Sequence, residues 1–151
     1  MQSVEIFKEP PPNFRARFGA SACLCHHEDK VLFLMRHPSK NFGGQWCLPG
    51  GKIEHGEEHK TTAKRELFEE TSIVVPEENL LFLDTFYLRY PRLDFIYHFY
   101  SCKLDSLPEK IALATDEHTD FEWKKLHPID AHTLIAGEKA CLTHLTPKLL
   151  F

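Results

Sequence analysis

Gly51 to Ile73 reads GKIEHGEEHKTTAKRELFEETSI, and it begins inside a Leu48-Pro49-Gly50-Gly51 loop. From Thr61 to Thr71 there is neither Gly nor Pro, and Ala, Lys, Arg, Leu and Glu there are good helix formers. At about 100° per residue, Glu66, Glu69 and Glu70 fall within about 100° of one another on one helix face. Ala63 and Leu67, at i and i+4, mark a neighbouring apolar stripe that suits a core.

As pure stabilisation this helix is poor. Like charges at i,i+4 repel by about 0.2–0.5 kcal/mol. Glu69 and Glu70 also stand in the last turn, where the helix dipole disfavours anions. A solvated acidic face is the ordinary reading of such a helix. The other reading is a divalent cation: Mg²⁺ selects carboxylate oxygens, keeps several waters and uses substrate phosphates as further ligands. The helix alone leaves both open.

The wider spacing separates them. Gly51, five residues, Glu57, seven residues, Arg65-Glu66-Leu67, one residue, Glu69-Glu70, two residues, Ile73 resembles the signature box of the Nudix hydrolases. One position departs: Ser72 stands where the family has Gly. That Gly is expected to supply a left-handed residue after the helix, so the change touches the turn and not the carboxylates. The resemblance implies a mixed α/β fold, an α/β/α sandwich around a mixed sheet, with the box as a loop–helix–loop. It implies Mg²⁺, with Mn²⁺ as a substitute, held by Glu66, Glu69 and Glu70 and by the Gly50-Gly51 loop through a backbone carbonyl. Glu57 is expected to pair with Arg65 or to assist a second metal. The segment Asp116 to Trp123 resembles the family stretch that ends in Glu-Trp, and its acidic residue six places before Trp123 is Glu117. Glu117 is therefore expected as metal ligand or general base. Which Glu takes the water's proton is not readable from sequence. Arg36, thirteen residues before Pro49, and Lys52 are the expected phosphate contacts. Trp46, Tyr87, Tyr90, Phe99 and Trp123 are candidates to stack on a base, although aromatics in strands more often build the core.

Composition bounds the rest. A chain of 151 residues, 42% hydrophobic and 26% charged, forms one ordinary globular domain. We expect residues 1–13 as a tail or edge strand and 14–151 as the domain. The net charge of −4 argues against a duplex-binding protein, and there is no basic stripe for an RNA end. The longest aliphatic run, Val31 to Met35, is too short to span a bilayer. The polar first fifteen residues, with Pro10-Pro11-Pro12, carry no signal-peptide pattern. Cys23, Cys25, Cys47, Cys102 and Cys141 fall in no framework spacing, which suits reduced thiols in the cytoplasm.

Along the chain, Phe14 to Cys25 alternates as a strand with two differently used faces. His26 to Asp29 reads as a polar turn and Lys30 to Arg36 as a returning apolar strand. A short strand is expected at Lys52-Ile53-Glu54. Leu80–Tyr90 and Asp94–Lys103 read as an aromatic hairpin across Tyr90-Pro91-Arg92-Leu93, followed by a last strand at Asp120–Lys124. A helix is expected to start at His127-Pro128-Ile129-Asp130, with Gly137 dividing it from a final segment that ends at Leu149-Leu150-Phe151.

The resemblance implies a small-molecule nucleotide substrate for a monomer or homodimer. The first expectation is a MutT-like (d)NTP pyrophosphohydrolase that releases nucleoside monophosphate and pyrophosphate. However, residues 131–151 hold no Asn, which MutT itself uses to read oxidised guanine. The alternative is a dinucleoside polyphosphate (Ap4A-type) hydrolase, on the position of Tyr90; Pro91, explained by the hairpin, gives ADP-ribose less weight. A nucleotide-sensing module on the same scaffold would be expected to lack box carboxylates, and all are present here.

Overall fold

The computed structural model describes residues 3–128 and 133–149. Ten regular elements follow in order: β1 (Glu5–Phe7), β2 (Ala16–His27), β3 (Lys30–Arg36), β4 (Trp46–Cys47), β5 (Gly50–Lys52), α1 (His59–Thr71), β6 (Leu81–Tyr90), β7 (Leu93–Lys103), β8 (His118–Lys125) and α2 (Ala136–Leu145). All eight strands join one mixed sheet. β2 is its hinge. It runs parallel to β7 from Ala16↔Asp94 to His26↔Lys103, with a register shift between Ala16 and Gly19. Its other edge is shared: β5 takes Ala20 to Ala22, and β3 takes only the far end at His26 and His27. β3 then carries β8 on one side and β4 on the other.

Alternation along β2 explains the two layers. Ala22 and Leu24 point into a core completed by Phe33, Phe86, Phe99 and the α2 residues Cys141, Leu142 and Leu145. Cys23 and Cys25 point into the opposite core with Leu32, Leu34, Cys102 and the α1 residues Ala63 and Leu67. A period of two that is buried on both faces needs a helix on each side of the sheet, and α1 and α2 are those helices. The five cysteines are buried and free. Among the described residues, no helix is long and apolar enough to cross a membrane.

Several boundaries move. The β2–β3 turn is only Glu28 and Asp29, and both His26 and His27 stay in the ladder. The strand expected at residues 52–54 lies at Gly50–Lys52 instead. Glycine disfavours strands locally, but antiparallel pairing with Ala20–Ala22 overrides that preference. β6 and β7 form the expected hairpin, closing at Tyr90↔Leu93 around Pro91-Arg92.

The clearest correction concerns Gly137. It does not divide two helices but lies in the first turn of α2. Its N–H donates to the Tyr90 hydroxyl at 3.0 Å, and a Cβ there would collide with Tyr90 and Leu88. The glycine is thus a close-approach position where α2 meets β6. The expected helix start at residues 127–130 fails at His127 and Pro128, which are not helical; residues 129–132 and 150–151 lie outside the described residues.

Candidate active site

α1 ends as the sequence suggests. Ser72 adopts φ 65°, ψ 13°, the left-handed conformation, and its N–H closes on the Phe68 carbonyl. The family glycine's backbone geometry is therefore kept by a serine. Ala63 and Leu67 are fully buried, which fixes how α1 rotates on the sheet. That rotation sends the three glutamates to different places. Glu70 is buried, 2% exposed, while the Glu69 side chain is 53% exposed and Glu66 lies between, at 13%.

Arg65 gathers the loop and the helix. Its Nε donates to Glu57 Oε2 at 2.8 Å and Nη2 donates to Glu57 Oε1 at 3.0 Å. Nη1 donates to Glu66 Oε1 at 3.0 Å and to Glu69 Oε2 at 3.1 Å, and Nη2 reaches the Lys52 carbonyl at 3.1 Å. The expected Glu57–Arg65 pair is thus present and bidentate. Arg65, with Thr62 Oγ1 and the Glu54 N–H also donating, holds the Glu57 carboxyl down to about 2.

Glu70 is held differently. Its Oε1 accepts the Gly50 N–H at 2.7 Å, which joins the end of α1 to β5. Its Oε2 lies 3.4 Å from Nε2 of buried His118. Burial, reinforced by the charge of Glu66, pushes Glu70 well above the carboxylate range. Burial and the charge of Arg36 lower His118 to about 4. Both shifts work against charge on this closely spaced pair. Burial also raises Glu66, against the pull of Arg65.

Glu117 sits in the turn before β8, and its backbone is pinned on both sides: its carbonyl accepts the His37 N–H at 2.8 Å and its N–H donates to the Ala114 carbonyl at 2.9 Å. One ligand atom each from Glu70, Glu117 and His118 lie within 4.8 Å of one another. Three observations fit a hard divalent cation here. The donor set is mostly carboxylate oxygen. His118 Nδ1 is buried without a hydrogen-bond partner. Gly51 leaves room against the Glu66 carboxylate that a Cβ would fill. His118 was not anticipated from sequence; a single His beside Glu117 has no spacing signal of its own.

Next to this cluster opens a cavity of about 470 Å³. Gly50, Gly51, Lys52 and Arg36 line it on the cluster's side. Both expected phosphate contacts therefore face one space. Lys52 Nζ lies 4.5 Å from the Phe18 ring centroid, and Arg36 Nε donates to the Asn41 carbonyl. The other walls are aromatic: Tyr90 and Phe95 stack at 6.2 Å with 5° between planes, and Phe42 leans on Tyr90 at 5.7 Å. Of the five aromatics proposed to stack on a base, only Tyr90 lines the cavity. Phe99 is in the α2-side core, Trp123 packs on the α1-side core, Tyr87 meets Phe14, and Trp46 lies under Lys124. At the α2 end stands Glu138, a second unanticipated residue, 4% exposed. A hollow of about 450 Å³ near the β6–β7 turn, with Arg15 and Arg92, shares Tyr90 and Leu93 with the cavity but holds no box carboxylate.

A family model of the NUDIX domain matches residues 15–145. Nudix hydrolase 25 of Arabidopsis thaliana is 40% identical over 67 residues, 44% of this chain and 35% of that protein, so the match spans about a third of that relative's length. An RNA pyrophosphohydrolase of Erythrobacter litoralis (strain HTCC2594) is 26% identical over 141 residues, 84% of this chain and 85% of that protein. Among solved structures, a MutT protein from Methanosarcina mazei Go1 aligns with a TM-score of 0.74 at 22% identity, covering 87% of this chain and 94% of that one. That last likeness bears on the fold alone.

Proposed function

The chain belongs to the Nudix hydrolases, and from that premise we propose that it hydrolyses a nucleoside triphosphate to nucleoside monophosphate and pyrophosphate, using Mg²⁺ or Mn²⁺. The observation that carries this reading is the continuity of the site. An aromatic cavity opens directly onto Gly50, Gly51, Lys52 and Arg36, beside the carboxylates of Glu66, Glu70 and Glu117. A base among Tyr90 and Phe95 would lay its phosphate chain along Arg36 and Lys52 toward those carboxylates.

Glu66, Glu69, Glu70 and Glu117 would hold the cation, with the Gly50-Gly51 segment offering a carbonyl. A divalent ion bound there supplies charge neutralisation on phosphate oxygens and a more acidic water. The chain's own residues do the remaining work. Arg65 and Glu57 lock α1 against the carbonyl of Lys52, so the carboxylates keep their mutual placing. The Gly50 N–H orients one oxygen of Glu70. One carboxylate of the group accepts the water's proton as the new P–O bond forms and the bond to the pyrophosphate oxygen breaks. Arg36 and Lys52 balance charge on the departing phosphates.

A second reading has its own observation. Tyr90 and Leu93 border both the cavity and the neighbouring arginine-bearing hollow, so the two spaces adjoin and cationic side chains stand beyond the cavity's aromatic end. That supports a dinucleoside polyphosphate, and the likeness to an RNA pyrophosphohydrolase over most of both chains adds an RNA 5′ end to the panel. The test is product analysis with Mg²⁺ and ¹⁸O-labelled water across (d)NTPs, Ap4A and 5′-triphosphorylated RNA. Nucleoside monophosphate and pyrophosphate from a triphosphate support the first reading; label in free orthophosphate alone contradicts it.

A further inference from the structure

Arg17 and Phe18 are neighbours in sequence, so in a regular strand they would face opposite sides of the sheet. Both line the cavity. The cause is the register shift in β2: Ala16 pairs with Asp94 and Gly19 with Ile96, so Arg17 and Phe18 together oppose the single residue Phe95. A bulge of this kind re-aims a side chain, and such bulges gather beside active sites. Phe18 stacks on Phe95 at 5.0 Å with 18° between planes, and Phe95 stacks in turn on Tyr90, whose hydroxyl accepts the Gly137 N–H. The Phe18 ring is thus braced back to α2. What it carries is Lys52. Ala20 pairs with Lys52 across β2 and β5, which makes Phe18, two residues along β2, a diagonal neighbour of that lysine. Lys52 Nζ lies 4.5 Å from the Phe18 ring centroid and, among the described residues, enters no ion pair.

We propose that Phe18 is a positioning residue of the reaction: its ring seats the Lys52 ammonium so that the charge stands ready for the substrate's phosphate chain. The inference rests on the reading of Lys52 as a phosphate contact and deepens it. A lysine stem has many rotamers, and a substrate would otherwise have to freeze them on binding. A lysine paired with one of the carboxylates of the loop or of α1 would have to leave that partner before meeting a phosphate. The face of an aromatic ring attracts the ammonium without neutralising it. Lys52 is then fixed at both ends, its carbonyl on Arg65 Nη2 at 3.1 Å and its ammonium on Phe18.

Phe18 is also part of an aromatic wall, and the experiment separates that role from the seat of Lys52. KM and kcat are measured with Mg²⁺ for the nucleoside triphosphate turned over fastest in the product panel, and Ki for inorganic tripolyphosphate as competitor. The proteins are wild type, F18L, F18Y, K52M and the variant that combines F18L with K52M. Leucine keeps apolar bulk against Phe95 but has no ring face; tyrosine keeps the face. K52M raises KM and Ki by about tenfold or more. F18L raises both by one common factor, about three- to fivefold, the size a surface cation–π contact allows. F18Y recovers most of that loss. In the K52M background F18L moves either constant by less than about twofold, because the ring has no ammonium left to hold. A loss for the nucleotide with Ki for tripolyphosphate unmoved makes Phe18 a wall for the base and overturns the proposal. An F18L effect as large in K52M as in wild type overturns it too, as does an F18L enzyme indistinguishable from wild type. A K52M enzyme with wild-type KM and Ki instead overturns the phosphate reading of Lys52 itself, and that result is visible before any Phe18 variant is made.

Discussion

Glu57 and Glu138 are the same residue type tied to opposite ends of one short segment. Glu57 reaches it through Arg65, which holds the Lys52 carbonyl; Glu138 reaches it directly at the Leu48 N–H. Yet Glu57 is held down to about 2 and Glu138 is pushed up to about 8. The first has a bidentate guanidinium and two further donors. The second has burial and no ion partner among the described residues. One wall of the site is therefore built for charge and the other for neutral hydrogen bonding.

The largest expected effect falls on the charged wall. E70Q and E69Q should each lower turnover by more than an outer-shell loss does, at least about a hundredfold. Without metal E70Q should melt at or slightly above the wild-type temperature, because the amide no longer meets the charge of Glu66, and E69Q should stay within a few degrees of wild type, because the bond it weakens to Arg65 is an exposed one. Paired rate and melting measurements check this, and a large fall in melting temperature for both would contradict it. R65A comes next. It leaves Glu57 without its partner, so we expect a loss of about 2–4 kcal/mol, or roughly 5–10 °C in Tm, together with at least about tenfold in kcat. R65K should rescue little, since a lysine cannot reproduce the bidentate fork.

The contrast itself is testable by pH. A depressed carboxyl such as Glu57 contributes stability that is present above its unfolded value, near pH 4.5, and lost as pH falls toward about 2. The Tm advantage of wild type over E57Q should therefore shrink between pH 5 and acid. A raised carboxyl such as Glu138 behaves oppositely: its contribution is intact below the unfolded value and is lost as pH rises toward about 8. E138Q should therefore gain on wild type between pH 5 and pH 8. Parallel thermal melts give both slopes, and slopes of the same sign would erase the distinction between the walls. The smallest effect belongs to the helix end. S72G should stabilise by up to about 1 kcal/mol, because glycine reaches the observed φ of 65° without strain.

The charged wall was far more legible in the sequence than the neutral one, and the reason is spacing. Glu57, Arg65, Glu66, Glu69 and Glu70 lie within one loop–helix unit, so helical periodicity reports their mutual placing. The left-handed residue after α1 was readable from the one departure in the box. What periodicity did not report was depth: Glu69 and Glu70 are adjacent in sequence, yet one is exposed and the other buried. His118 and Glu138 reach the site through tertiary contacts, from β8 and α2, and a single His or Glu carries no local pattern. Gly137 was misread for the same reason. Glycine inside a helical stretch looks like a break until the Tyr90 hydroxyl is seen against it.

A guanidinium has five N–H bonds to give, and Arg65 directs five hydrogen bonds at Glu57, Glu66, Glu69 and the Lys52 carbonyl. It is saturated. An incoming polyanion can recruit it only by evicting an acid already seated there, so Arg65 serves as keystone and not as finger. The cationic welcome for a substrate must come from elsewhere, and any ligand that does unseat one of those acids would loosen the arch that the keystone closes.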